Sequence, residues 1–138
     1  MMKRNEVEIP LSIGSIERSF KDIVIDMKDI NDKLHVIFNK SKLFVYAPRR
    51  IRCQSDIEDQ FPNINDIIVG KVEGMRNDEN GNVIFKIILI DSLFYAKLND
   101  PVITISGYTD IVCEERRIVY ITRLTLNDRF LVEKTNPV

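Results

Sequence analysis

Apolar and polar residues alternate along most of this chain with a period of two, the pattern of strands that bury one face. Val7, Ile9, Leu11 and Ile13 open it, with Pro10 on the opposite face, where a sheet edge tolerates the missing N–H. Residues 22–28 predict a second strand. Asn31-Asp32 predicts a turn into a third, Lys33 to Asn39, with Leu34, Val36 and Phe38 on one face and His35 on the other. The short polar turn Lys40-Ser41-Lys42 leads to a fourth strand, Leu43 to Ala47, which Pro48 ends.

Beyond Pro48, Ser55 and Glu58 have the spacing of a capping box, which predicts one short helical turn ending near Phe61-Pro62. Ile67 to Met75 and Asn82 to Ile90 then flank Asn80-Gly81, a pair suited to the positive φ angles of a tight hairpin. Val83 to Ile90 is apolar on both faces apart from Lys86, and so predicts a central strand covered on both sides. Ser92 to Leu98, Val102 to Val112 and Arg117 to Leu126 complete the strands, and Glu133 to Val138 reads as a frayed tail. About eight short strands with almost no helix predict an all-β domain spanning residues 1–138. Its expected form is a small, mostly antiparallel, OB-like β-barrel, since closure removes the edges that Ile-rich strands leave sticky.

Composition agrees. The chain has 138 residues, enough for one core, and is 44% apolar and 30% charged, as soluble globular domains are. It holds 21 Ile but only two Ala, Ala47 and Ala96, a bias toward strands. Together with 11 Asn and 10 Lys, this bias fits an AT-rich genome. No apolar stretch approaches the roughly 18 residues of a membrane span, and the charged start carries no signal-like apolar core. The expected location is the cytoplasm, or a particle assembled there. Cys53 and Cys113, 60 residues apart, form neither a zinc motif nor a disulfide framework.

Charge changes the picture more. From Lys33 to Ser55 the chain carries no acid but six basic residues, Lys33, Lys40, Lys42, Arg49, Arg50 and Arg52. The totals are 20 basic and 21 acidic residues, so 14 basic residues face 21 acids elsewhere, a net −7. Segregated positive charge is the footprint of an anionic partner. Phe44 and Tyr46 sit within it. If Leu43, Val45 and Ala47 face the core, both rings point outward beside the lysines and suit a stacked base. If the rings face the core, the patch is basic only, and lysines along a strand edge serve simply to prevent aggregation.

Catalytic chemistry finds no foothold in the pattern. His35 is the only histidine, no nucleophile motif is present, and the five glycines make no phosphate-cradling loop. Asp22, Asp26 and Asp29 do not share a strand face as a metal site requires, and Asp78-Glu79-Asn80-Gly81 lacks the ligand spacing of a calcium loop. The expectation is a protein without catalytic activity, cofactor, metal or small-molecule substrate.

Asp66-Ile67-Ile68-Val69-Gly70-Lys71-Val72-Glu73-Gly74-Met75, followed by Gly81-Asn82-Val83-Ile84-Phe85, resembles the first hairpin of S1-type OB barrels. Arg117 to Leu124 resembles the final strand of small barrel subunits of RNA polymerases; together the likeness falls within residues 66–126. It implies a ligand face near Lys71, Phe85 and Tyr95, without the histidine such domains often carry in their third strand. The overall expectation is a non-catalytic subunit or adaptor of a larger assembly. Its contact surface comprises Lys33, Lys40, Lys42, Phe44, Tyr46, Arg49, Arg50 and Arg52, meeting an acidic protein or other copies of the chain. Alternatives are a structural component of a phage or viral particle, and a module binding single-stranded nucleic acid.

Overall fold

A computed structural model describes residues 5–20, 22–40, 42–48 and 67–134. Strand β1 (Glu6–Pro10) is followed by helices α1 (Ile13–Ser19) and α2 (Met27–Lys40), then β2 (Phe44–Tyr46), β3 (Ile68–Asn77) and β4 (Val83–Leu89). A short helix, α3 (Ser92–Ala96), leads to β5 (Pro101–Val112), β6 (Glu115–Asp128) and a C-terminal π-helix, Phe130–Lys134. The six strands form one mixed sheet in the order β1-β4-β3-β2-β6-β5.

Two hairpins supply most of it. In the β3–β4 turn, residues 78–82, the Asp78 carboxylate accepts the Asn80 and Asn82 backbone N–H groups, each at 2.9 Å; of the Asn80-Gly81 pair only Gly81 takes a positive φ, +83°. The β5–β6 hairpin turns through Cys113 and Glu114, and its ladder is bulged near Gly107. A Cβ on Gly107 would lie 2.1 Å from the Tyr120 carbonyl oxygen, so that crossing admits only glycine. The three residues of β2 join the hairpins, antiparallel to β3 and parallel to β6.

The core lies on one side of the sheet. Val45, Val69, Val83, Phe85, Ile87, Ile103 and Leu124 are buried from the strands, and Ile30 and Leu34 from α2. The sheet's two edges approach where β1 ends. Leu11 makes a single parallel bridge to Ile103, and the Ser12 N–H donates to the Ile103 carbonyl at 2.8 Å. Ser12 then caps α1, accepting the Ser15 N–H at 3.1 Å while its own hydroxyl donates to Glu133 of the π-helix. Glu133, the first residue of the expected frayed tail, is held in turn by Arg129 at 3.3 Å; residues 135–138 lie outside the described residues.

The β-rich expectation therefore holds in coarse form, with five corrections. Among the described residues there are six strands rather than about eight, and one bridge rather than a ladder between the edges. The strand expected at Lys33 to Asn39, and so the basic hairpin built on it, is instead part of α2, and His35 sits half-buried on that helix. Leu34 and Phe38 also satisfy helical spacing with Met27, Ile30 and Ile37, and these five pack into or against the core. Asp26 begins the helix, its carboxylate accepting the Lys28 and Asp29 N–H groups at 3.1 and 3.3 Å. The strand expected at 22–28 shrinks to one bridge, Ile23 to Arg116. Residues 92–98, also expected as a strand, begin with α3, capped by the Asp91 carboxylate on the Phe94 N–H at 3.0 Å. Strand β4 is central but covered on one face only: Ile84 and Ile88 are half-buried and Ile90 is exposed. The capping box at Ser55 and Glu58 and the turn near Phe61 lie outside the described residues.

The two assignments of residues 33–39 differ in which side chains share a face. Leu34 is fully buried and Val36 is 51% exposed, as a helix requires; a strand would bury them together. Chemical denaturation should find Leu34→Ala destabilising by about 2–5 kcal/mol and Val36→Ala within about 0.5 kcal/mol of the parent. Equal losses would contradict α2.

Asp128 generates a pH prediction. Its carboxylate accepts the Asn99 N–H at 2.9 Å and the Phe130 N–H at 3.1 Å, and these bonds hold its pKa below the ordinary aspartate value. A carboxylate with a depressed pKa in the fold adds stability above its unfolded pKa, and loses it as pH falls through the folded one. Urea midpoints should therefore drop on acidification below about pH 4, and Asp128→Asn should flatten that drop. An unchanged pH profile in the variant would contradict the assignment.

Candidate functional site on the outward sheet face

Strand β2 decides which side chains face out. Its central residue, Val45, has no exposed surface, and strand alternation places Phe44 and Tyr46 on the opposite face of the sheet. Leu43 and Ala47 pack against the core, so the first of the two arrangements open in the sequence is the one found. Both rings are half-buried by their neighbours and keep an outer surface.

Register then assembles two lines of side chains across four strands. In the first, Lys71 of β3 lies opposite Phe44, Arg123 of β6 lies one residue before the Val45–Leu124 pair, and Ser106 of β5 lies opposite Arg123. In the second, Ile68, Tyr46, Thr125 and Thr104 follow one another in the same way. With neighbouring strands about 4.8 Å apart, each line runs roughly 14 Å across the sheet. The Arg123 guanidinium lies 4.8 Å from the Tyr46 ring centroid, a cation–π contact joining the two lines.

The charges of this face divide into paired and unpaired. Toward β1, Lys86 pairs with Glu6 at 2.9 Å and Arg76 with Glu8 at 2.7 Å; Arg76 holds the Glu8 carboxyl below its usual pKa. Lys71 has no ion pair among the described residues. Lys40, at the end of α2, and Lys42, just before β2, are exposed and equally without one. Lys71 and Lys42 thus stand beside the two rings without an ion pair among the described residues.

The expected site residues thus separate. Phe44 and Tyr46 share the outward face, Lys42 lies two residues before Phe44, and Lys40 ends α2, which packs on the core side. Lys33 is bound to Asp29 at 2.6 Å one helical turn away, and lines a cavity of about 340 Å³ with Asp26, Arg117 and Cys113. Arg49, Arg50 and Arg52 lie outside the described residues. Of the positions implied by the OB resemblance, Lys71 is on the face. Phe85 is fully buried in the core, and Tyr95 is half-buried on α3, packed against that core. Arg123 escaped the sequence reading. Its signal was the alternation with Leu124 and Leu126, which sets Arg123 and Thr125 on the other face.

A second aromatic feature stands apart on the β5–β6 hairpin. Tyr108 and Tyr120 are opposite one another, exposed, with ring centroids 6.4 Å apart and planes 25° from parallel. No cluster of three or more metal-ligating side chains, and no helix long and apolar enough to cross a membrane, occurs among the described residues. Compared with known proteins, the chain matches no family model, no curated protein and no solved structure.

The contact between Arg123 and Tyr46 is measurable. A double-mutant cycle with Arg123→Ala and Tyr46→Leu should give a coupling of about 0.5–1 kcal/mol by urea denaturation. Zero coupling would mean the guanidinium does not rest on the ring.

Proposed function

We propose that this protein is a non-catalytic β-rich subunit or adaptor that holds an acidic protein partner on the outward face of β2, β3 and β6. The observation that carries the reading is Lys71 set opposite Phe44 and Arg123 resting on Tyr46, with Lys42 two residues before Phe44. Cations beside aromatic platforms bind carboxylates with some exclusion of water, which gives such contacts both steering and strength. The surplus of positive charge in a chain otherwise net −7 has the same sense. As a fold reading, the approach of the sheet's edges at Leu11 and Ile103 supports an OB-like barrel closed at that one point.

One observation favours a second reading, single-stranded nucleic acid. Phe44 and Tyr46 point outward next to cations, the combination by which unpaired bases are stacked and their phosphates neutralised, at about 1–3 kcal/mol per stacked base. The two readings separate in one experiment. Fluorescence anisotropy would follow a labelled poly-glutamate peptide and a labelled oligothymidine, each titrated with the full chain. The acidic-partner reading predicts that the peptide binds at about 50 mM salt and weakens by about 200 mM. It also predicts that Lys71→Glu with Arg123→Glu lowers affinity at least about tenfold, and that Phe44→Leu has little effect. Preference for oligothymidine with a large loss in Phe44→Leu would replace it with the nucleic-acid reading. Binding of neither probe at low salt would overturn both.

A further inference from the structure

Beside the β5 end of the outward face lies a second site, built around Arg18. Where α1 and the C-terminal π-helix lie beside the ends of β5 and β6, there is a cavity of about 390 Å³, within the range that holds small molecules. Its polar lining comes from Ser15 and Arg18 of α1, Thr104 and Ser106 of β5, and Asn127 of β6; Leu131 and Val132 add an apolar part.

Hydrogen-bond accounting shows what this lining still offers. Thr104 is committed: it accepts the Asn127 amide at 2.9 Å and donates to the Thr125 carbonyl. The Ser15 hydroxyl donates to the Ser12 carbonyl at 2.9 Å, which leaves it only as an acceptor. One N–H and the carbonyl oxygen of Asn127 remain, as does the whole Ser106 hydroxyl. Arg18 has no hydrogen bond or ion pair among the described residues, and the nearby Glu133, Asp128 and Asp100 carboxylates are held by Ser12 and Arg129, by the Asn99 and Phe130 N–H groups, and by Arg129. The cavity therefore presents a half-buried guanidinium without a counter-charge, one hydroxyl and one amide donor, and two or three acceptors.

We infer that this cavity binds a small phosphate monoester bearing hydroxyl groups, a sugar phosphate in size and chemistry. The phosphate meets Arg18, whose planar fork donates in pairs to phosphate oxygens, with the Ser106 hydroxyl and the Asn127 amide as further donors. The hydroxyls of the ligand donate to Ser15 and to the Asn127 carbonyl oxygen. A purely apolar ligand would strand these polar groups, and a bare anion would leave the acceptors unused. The cavity adjoins the face around β2, whose two lines end at Ser106 and Thr104 on β5, but Arg18, Ser15 and Asn127 take no part in that face, so the two readings can fail separately.

Ribose 5-phosphate is the probe, titrated into the full chain and followed by backbone amide chemical shifts, with ribose and inorganic phosphate as parallel arms. The amides of Arg18, Ser106 and Asn127 should shift saturably, with half-saturation at or below about 1 mM. Arg18→Gln should weaken binding at least about tenfold, while Glu114→Gln, in the β5–β6 turn at the other end of that hairpin from Asn127, binds as the parent does. Ribose alone should give no shift, and inorganic phosphate a markedly weaker response. Unmoved amides, equal affinity in Arg18→Gln, or a response to inorganic phosphate as strong as to ribose 5-phosphate would each overturn the assignment. The amide spectrum of Arg18→Gln also reports whether the variant is folded, so loss of binding is distinguishable from loss of structure.

Discussion

Everything on the outward face depends on the burial of Val45. Strand β2 is only three residues long, yet it is the single strand joining the β1-β4-β3 half of the sheet to the β6-β5 half. So short a strand gains little from its own hydrogen bonds, and its register rests on one side chain driven into the core between Gly70 of β3 and Leu124 of β6. A shift by one residue would bury Phe44 and Tyr46 and expose Val45, exchanging an aromatic, cationic face for an aliphatic one. The parallel pairing with β6 is equally consequential. It brings Arg123 within reach of Tyr46, although 77 residues separate them in the chain, and aligns Thr125 beside the ring.

From this constraint follows the unevenness of charge over the surface. Cations near β1 are neutralised in cross-strand pairs, Lys86 with Glu6 and Arg76 with Glu8, and Lys33 is neutralised along its helix by Asp29. Such exposed pairs add little to stability, but they remove those cations from any outward role. Among the cations they leave without an ion pair are Lys71 and Lys42 beside β2 and, separately, Arg18 in its cavity by the start of β5 and the end of β6. Two positive features with different surroundings, one broad and aromatic, the other small and polar, suit two different anions.

The sequence made some of this legible. Asn80-Gly81 located the β3–β4 turn, where Gly81 takes the positive φ that glycine accepts most readily, and the alternation in the last third of the chain located β5 and β6. For β2, alternation left two arrangements open, and only tertiary structure chose between them. Residues 27–40 were misread because Leu34, Val36 and Phe38 alternate while Ile30, Leu34, Ile37 and Phe38 also recur at helical spacing. β-branched composition favoured the strand, and packing against the sheet favoured the helix, which won. Pairing between β2 and β6, and therefore the place of Arg123 in the face, has no local signature at all. Nor has the cavity beside Arg18, which gathers residues from both ends of the chain.

The orientation of β2 is open to direct observation by nuclear Overhauser spectroscopy on the full chain. The arrangement described here predicts cross-peaks from the Tyr46 ring protons to the side chains of Thr125 and Arg123. It predicts cross-peaks from the Val45 methyl groups to core side chains, and none from Val45 to Arg123. Contacts between the Tyr46 ring and buried core residues such as Leu34 or Ile87, with Val45 among the outward cations, would contradict the register of β2 and the interaction face that rests on it.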